Sequence, residues 1–421
     1  MQMSMKKLRY YFRVLVLVCG LVSLLSGCES GWQGETDNPQ TLLIYMAGNN
    51  NLSSYAYMNY SDLNGGYIPK WCQPGKGDVL LVYMHTADTL PRLVRLFVNN
   101  KGHVSSELIR EYPDQNSLDP KVMKKVLTEV AESYPAQENG LILWSHGSGW
   151  LPRGYYDDPS DFESQAGASC ASTAEAFPPL SEDPYRDWFK SMGPDSKIEV
   201  DIQDLEQALP IHYDYLIFDA CLMGGVEVAY QLRNKADYII ASVAEILAQG
   251  FPYRKIVSPL LAGGSADLGR VASIFFDHYD SQAGSYRAAT IALVQTAPLE
   301  ALADAVKTVF ANHREELANF DRRRVQGFYR NKRSFFFDLE DFIRQLATDA
   351  EYAAFETALA DCVLYEAATE SFLMDYSYGF EIRTHCGLST YIPAAGENYL
   401  QVFYRTLDWN DRVQLVVSEN E

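Results

Sequence analysis

Five short stretches are apolar at nearly every position: residues 41–47 (TLLIYMA), 78–85 (DVLLVYMH), 140–146 (GLILWSH), 213–220 (YDYLIFDA) and 236–243 (ADYIIASV). A strand buried on one face alternates, whereas a strand covered on both faces reads as a continuous apolar run. These stretches therefore predict central strands of a covered, parallel sheet. Residues 92–98 (RLVRLFV) alternate instead, and predict a hairpin with the strand before them. Asp119-Pro120 supplies an N-cap followed by proline at the first helical position, opening a helix through Tyr134. Residues 200–208 and 226–234 predict shorter helices. Strands and helices in this alternation specify an α/β/α sandwich around a mostly parallel sheet.

Two regions depart from this rhythm. Residues 151–199 hold Pro, Ser, Asp and Gly throughout, with no sustained periodicity, and read as a long insertion. From 263 to 421 the pattern turns mainly helical, with amphipathic stretches at 266–280, 298–320, 335–348 and 351–369. Residues 286–295 and 379–392 can supply strands, the latter returning one near 380–392. The expected organisation is thus a catalytic α/β domain over 41–262 and a more helical C-terminal subdomain. The basic cluster Arg322, Arg323, Arg324, Arg330, Lys332 and Arg333 reads as a solvated helix end or loop.

The N-terminus carries a different pattern. Lys6, Lys7, Arg9 and Arg13 precede an apolar run over 14–25, too short for the roughly 20 residues that a spanning helix needs. The run ends in Leu25-Ser26-Gly27-Cys28, which is similar to a bacterial lipobox, in which the cysteine is acylated and becomes the first residue of the mature chain. Residues 1–28 then form a lipoprotein signal and 29–40 a polar tether. Two or more acyl chains give stable anchoring, so the expected location is the bacterial cell envelope, periplasmic or surface-facing. Removing the signal's four positive charges takes the formal charge from −20 to −24. An acidic chain repels phosphate backbones, which argues against general nucleic-acid binding. Seven cysteines in 421 residues, with no CxxC pair, argue against a disulfide scaffold and a structural zinc site.

Candidate chemistry lies at two strand ends. In LILWSHGSGW (141–150) a buried strand runs into His146 and then glycines, so His146 projects at the strand's carboxyl end and Gly147 allows close backbone approach. In YLIFDACLMGG (215–225) another buried strand runs into Cys221, then glycines and a helix. A thiol near a helix N-terminus is favoured as thiolate, and a neighbouring histidine can serve as its base. Chemistry in open α/β sheets gathers at these carboxyl ends.

Four blocks together resemble the clostripain-like cysteine peptidases, which have a caspase-like fold: LLIYMAGNNNLSSY at 42–55, LILWSHGSGW at 141–150, YLIFDACLMGGVEVAYQLRNKADYIIAS at 215–242 and GLSTYIP at 387–393. The resemblance implies a dyad in which Cys221 attacks the scissile carbonyl and His146 protonates the leaving amine. It implies an oxyanion hole of the Gly147 and Cys221 backbone N–H groups. It also implies cleavage after Arg or Lys, with Asp219 as the carboxylate of the S1 pocket. Ser242 and Glu245 end the next predicted strand and are read as further S1 candidates. Asn49, Asn50 and Asn51 occupy the family's characteristic place after the first strand and receive no catalytic role.

Related enzymes are often zymogens that cut themselves between the dyad residues. Here 75 residues separate His146 and Cys221, and Arg153, Arg186, Lys190 and Lys197 are the candidate cut sites. Asp157, Asp158, Asp161 and Glu163 lack EF-hand spacing and read as a solvated acidic loop, so no metal or cofactor is expected, although some relatives use calcium. The expected partners are protein or peptide substrates with a basic P1 residue, and the membrane through the lipid; a monomer is expected. Two other functions fit the same features: a non-catalytic surface-binding lipoprotein, and a Cys–His amidase or transpeptidase.

Overall fold

A computed structural model describes residues 39–66, 68, 77–156, 158–165, 199–261, 264–328, 334–374 and 379–417. Its strands are β1 (Gln40–Gly48), β2 (Val79–Thr86), β3 (Thr89–Val98), β4 (Val104–Glu111), β5 (Glu138–Trp144), β6 (Tyr213–Asp219), β7 (Ala236–Ala241), β8 (Thr290–Gln295), β9 (Phe337–Asp338), β10 (Val363–Ala368), β11 (Ser371–Phe372), β12 (Phe380–Glu381) and β13 (Ser389–Thr390). The first helices are α1 (Ser53–Gly65), α2 (Pro120–Ser133), α3 (Pro159–Gln165), α4 (Ile202–Ala208), α5 (Val226–Gln231), α6 (Tyr253–Leu260) and α7 (Leu268–Asp280). After them come α8 (Leu299–Asn312), α9 (Arg314–Ala318), α10 (Leu339–Leu346), α11 (Asp349–Cys362), α12 (Asn398–Tyr404) and α13 (Asp408–Val413).

Nine strands form one sheet in the order β10-β8-β7-β6-β5-β1-β2-β3-β4. The five central strands, β7 to β2, are parallel, and two antiparallel strands close each side. The expected mostly parallel sheet is thus present. Burial follows position: β1 and β2 are buried at every residue, whereas the edge strand β4 has no buried residue. Two helix layers flank the sheet, α1–α6–α7 in one and α2–α4–α5–α13–α8–α11 in the other. The expected N-cap is made, with the Asp119 carboxylate accepting from the Lys121 and Val122 N–H groups; such caps contribute about 1 kcal/mol.

The C-terminal half differs in detail. The 351–369 stretch is not one helix: α11 ends at Cys362 and the chain continues as β10, antiparallel to β8 at the sheet edge. The 335–348 stretch opens with β9 before α10, and 298–320 breaks at His313 into α8 and α9. Sequence periodicity also gave no notice of α1 or β4.

Three buried carboxylates fasten the C-terminal segment. Glu227 Oε1 on α5 accepts from the Thr390 hydroxyl, the Tyr391 N–H and the Tyr404 hydroxyl at 2.9, 2.9 and 2.7 Å. Glu163 on α3 is fully buried and accepts from the Tyr399 and Leu400 N–H groups at the start of α12, and from the Tyr155 hydroxyl. That corrects the reading of Glu163 as part of a solvated acidic loop. Glu397 takes a two-pronged ion pair from Arg322, which also donates to the Ile392 carbonyl. Arg322 is therefore a structural anchor, not a solvated charge, whereas Arg323 is exposed and pairs with its neighbour Asp321. Arg330, Lys332 and Arg333 lie outside the described residues. Among the described residues no helix is long and apolar enough to cross a membrane.

Candidate active site

The sheet brings the two strand ends side by side. β5 and β6 are adjacent and parallel, with Trp144 paired to Asp219. His146 and Cys221 each lie two residues past that pair. β1 borders β5 on its other side, with Met46 paired to Trp144, so the loop after β1 reaches the same rim.

Cys221 is fully buried. Its Sγ accepts the Ile246 N–H at 3.0 Å and faces the Ile246 carbonyl at 3.5 Å. The next residue, Leu222, has φ of 64°, a left-handed conformation that costs a non-glycine residue about 1–3 kcal/mol. It is held there by its N–H to the Ala244 carbonyl at 2.9 Å, and two residues on Gly224 donates to the Ser242 carbonyl at 2.8 Å. The turn after Cys221 is thus stitched to the 242–246 segment. The expected placement of the thiol at a helix N-terminus is not observed. Helix α5 begins only at Val226 and is six residues long. The N–H at the sulfur comes instead from Ile246.

Gly147 must be glycine for a steric reason: a Cβ there would lie 2.7 Å from the Cys221 carbonyl oxygen. This contact brings the loop after β5 against the turn after β6. Trp150, at the end of the same loop, packs between Tyr391 and Tyr404 with ring centroids 4.9 Å from each.

The imidazole of His146 has a partner that sequence reasoning left without a role. Its Nε2 lies 2.9 Å from Asn51 Oδ1. The only sequence signal was the position of the asparagine run directly after β1.

The three residues expected in S1 are all buried. Asp219, at the end of β6, has no exposed surface; its Oδ2 accepts the Tyr253 hydroxyl at 2.9 Å and the Phe251 N–H at 3.3 Å. Burial first, then the adjacent carboxylate, push the Tyr253 hydroxyl far above its ordinary pKa, so it remains a neutral donor. Ser242 Oγ bonds to Thr290 Oγ1 at 2.7 Å and donates to the Ala244 carbonyl, shaping the turn after β7. Glu245 is 4% exposed and directly precedes Ile246. The segment 242–253 therefore touches both Cys221 and Asp219. It is steadied by Asn59 on α1, which donates to the Gln249 carbonyl and accepts from the Trp144 indole N–H.

A cleft opens at this rim, lined by residues that include Tyr45, His146, Gly147, Glu199, Ala220 and Met223. Cys221 is not part of the lining, although Ala220 and Met223 on either side of it in sequence are. Arg153 is exposed but sits in a tied turn: its N–H donates to Asp201 Oδ1 at 2.7 Å, and the next N–H, of Gly154, donates to Glu199. Cys28, Asp157, Arg186, Lys190 and Lys197 lie outside the described residues. Among the described residues no group of three or more His, Cys, Asp or Glu side chains could hold a metal ion. The described cysteines Cys221, Cys362 and Cys386 are not joined in disulfides. Burial raises the Cys362 pKa to about 12 and pushes Cys386 far up, so neither is a ready nucleophile.

The fold and the two strand ends place this protein in the class of caspase-like cysteine peptidases. The model of the clostripain family matches residues 44–161 and 190–414, and the chain belongs to that family. Clostripain from Hathewaya histolytica is 31% identical over 166 residues, 37% of this chain. That stretch is 26% of clostripain's own length, so the chain spans about a quarter of this relative. An inactive zymogen C11 protease from Parabacteroides distasonis superimposes with a TM-score of 0.73 and 30% identity, over 90% of this chain and 99% of that one. A secreted C11 cysteine protease from Bacteroides thetaiotaomicron, solved with an irreversible peptide inhibitor, gives a TM-score of 0.70 and 27% identity, over 89% and 98% of the two chains.

Proposed function

We propose that this chain is a lipid-anchored endopeptidase that cleaves after Arg or Lys, with Cys221 as nucleophile and His146 as its acid–base partner. The observation that carries the proposal is the β5–β6 pairing, which sets both residues two positions past one register pair. The Cys221 thiol gives its proton to His146 and its sulfur attacks the scissile carbonyl carbon. The carbonyl oxygen becomes an oxyanion facing the N–H groups of Gly147 and Cys221; one such donor is worth about 2.7–4 kcal/mol. His146 then protonates the departing amine, leaving a thioester on Cys221. Water, deprotonated by His146, attacks the thioester, releases the acid and restores the thiol.

Asp219 is our proposed S1 carboxylate, since a buried carboxylate at the end of β6 can form a charge-assisted pair with a guanidinium or ammonium group. Ser242 and Glu245 would support that pocket through the 242–253 segment. The buried thiol fits a precursor whose site is not yet open, as does the likeness to a relative described as an inactive zymogen. We propose self-cleavage after Arg186, Lys190 or Lys197. Arg153 is the weaker site, because a protease binds its substrate extended and the Arg153 turn would first have to release Asp201 and Glu199. Acylation at Cys28 would hold the enzyme in the cell envelope, and no cofactor is invoked.

The test compares wild type with Cys221→Ala, both starting after Cys28, on fluorogenic peptides ending in Arg, Lys, Asp or Leu, with and without chelator. Cleavage after Arg or Lys that disappears in the mutant supports the proposal. Acyl transfer to added amines without a basic preference would replace it with a transpeptidase, and silence after cleavage within residues 166–198 by an added protease would replace it with a binding role. Incorporation of a labelled fatty acid into the full chain, lost in Cys28→Ala, tests the anchor.

A further inference from the structure

We infer that Asn51 is a positioning residue for this reaction, its side-chain carbonyl holding the His146 ring by Nε2 so that Nδ1 is left to serve the thiol. The inference rests on the dyad proposed above and deepens it. A carboxamide oxygen only accepts, so at 2.9 Å from Oδ1 the Nε2 atom carries the ring proton. The neutral ring then keeps its lone pair on Nδ1, the form a general base needs. The reversed amide would place Nδ2 against Nε2 and move the ring proton to Nδ1, where it could not act as base.

The loop bearing Asn51 is built rigidly. Asn50 N–H donates to the Gly48 carbonyl at 2.8 Å, and Asn50 Oδ1 accepts the Leu52 N–H at 2.8 Å. The Ser53 hydroxyl bridges the Gly48 and Asn50 carbonyls, and its oxygen accepts the Ala87 N–H. Asn51 is thus clamped on both sides at the head of α1. The loop is also tied to its target: Ser145 Oγ, one residue before His146, donates to the Ala47 carbonyl at 3.2 Å. A Cβ at Gly48 would lie 3.1 Å from both Ala56 Cβ and a Trp144 ring carbon, so β1 and β5 approach closely at this point. Both ends of the Asn51–His146 bond are therefore fixed by the backbone of adjacent strands, which is what holding one ring orientation requires. Among the described residues, the other titratable side chains that line the cleft holding His146 are Tyr45 and Glu199.

The test uses the processed enzyme and two variants. Asn51→Ala should lower kcat by about 10- to 100-fold with KM changed by less than about twofold, the pattern of lost positioning. Asn51→Asp keeps an acceptor of the same shape and adds a charge that favours the imidazolium. It should recover part of kcat and move the acid limb of the pH profile upward by about one unit. The same upward movement should appear in the His146 ring resonances of ¹⁵N-labelled Asn51→Asp protein in a Cys221→Ala background, and should persist with Glu199→Gln. Wild-type kcat and pH profile in Asn51→Ala, with active wild type, would overturn the positioning role and leave the dyad standing. An unmoved His146 titration in Asn51→Asp would overturn it as well. A moved titration in a wild type that neither cleaves peptides nor labels at Cys221 would support the contact and sink the peptidase reading instead.

Discussion

The Ile246 N–H lies 3.0 Å from the Cys221 sulfur, and the Ile246 carbonyl faces the same atom at 3.5 Å. One backbone unit thus covers the candidate nucleophile. The N–H favours a sulfur bearing negative charge, while the carbonyl favours one bearing a proton. Together they hold the buried side chain in place, and the left-handed Leu222 keeps the backbone in the matching shape. For Cys221 to meet a substrate, either its side chain rotates or the 244–246 segment withdraws. We therefore expect Cys221 in uncut protein to react slowly with iodoacetamide, and at least about tenfold faster after cleavage within 166–198. Mass spectrometry of the Cys221 peptide measures both rates; equal rates would mean that the cover is permanent and that the processing model is wrong.

Asp219 carries two demands at once, a structural one from Tyr253 and Phe251 and the proposed binding of a basic side chain. Two substitutions separate them. Tyr253→Phe removes one donor from a buried carboxylate and should cost about 1–3 kcal/mol of stability while leaving the preference for Arg and Lys. Asp219→Asn keeps the shape and removes the charge, and should lower kcat/KM for basic substrates by at least about 100-fold with little change for a neutral P1. Melting curves and matched peptide pairs provide the measurements. A uniform loss across all peptides in Asp219→Asn would show that the residue only supports the strand end.

What the sequence made legible follows from what its signals depend on. β1, β2, β5 and β6 were readable because burial on both faces leaves a continuous apolar run. His146 and Cys221 were readable because each directly follows such a run. β10 was not, because residues 363–368 (VLYEAA) form a half-exposed edge strand following a helix, and their Ala and Glu content suits either state. The Asn51–His146 bond was not readable either, since it joins residues 95 apart through the β1–β5 pairing. Glu163 was misread for a related reason: a carboxylate that caps a helix more than 200 positions away looks in sequence like any other acid in a polar loop.

The sheet order predicts how a cut chain behaves. A cut anywhere between 166 and 198 puts β1–β5 on one fragment and β6–β10 on the other, joined by the β5–β6 ladder. Around that ladder Asn139 N–H donates to Asp214, Asn59 donates to the Gln249 carbonyl, and Glu163 caps α12. The cut protein should elute as one species under native conditions and separate only on a denaturing gel. Glu163→Ala leaves two helix N–H groups and the Tyr155 hydroxyl without their acceptor, and should lower the urea midpoint for fragment separation by an amount equivalent to about 1–3 kcal/mol. Fragments that part under native conditions in the wild type would contradict this account.

Glu351 gives the fold a defined sensitivity to acid. It closes a capping box at the start of α11, accepting the Thr348 N–H at 2.8 Å, and reaches α8 by accepting from Asn312 and His313 at 2.7 and 3.0 Å. The Asn312 side chain foremost, then His313 and Thr348, hold its pKa at about 2, against an ordinary value of 4.5. The folded state thus binds the Glu351 proton less readily than the unfolded chain. The contribution is therefore complete above about pH 4.5 and is lost as pH falls towards 2. Solvent at this surface position screens it to about 1 kcal/mol. Glu351→Gln should accordingly lower the urea midpoint of the Cys221→Ala protein at pH 7, with the gap narrowing at pH 4 and closing near pH 2. A gap that stays constant down to pH 3 would show that shape alone, and not the charge of Glu351, secures the junction of α8 and α11.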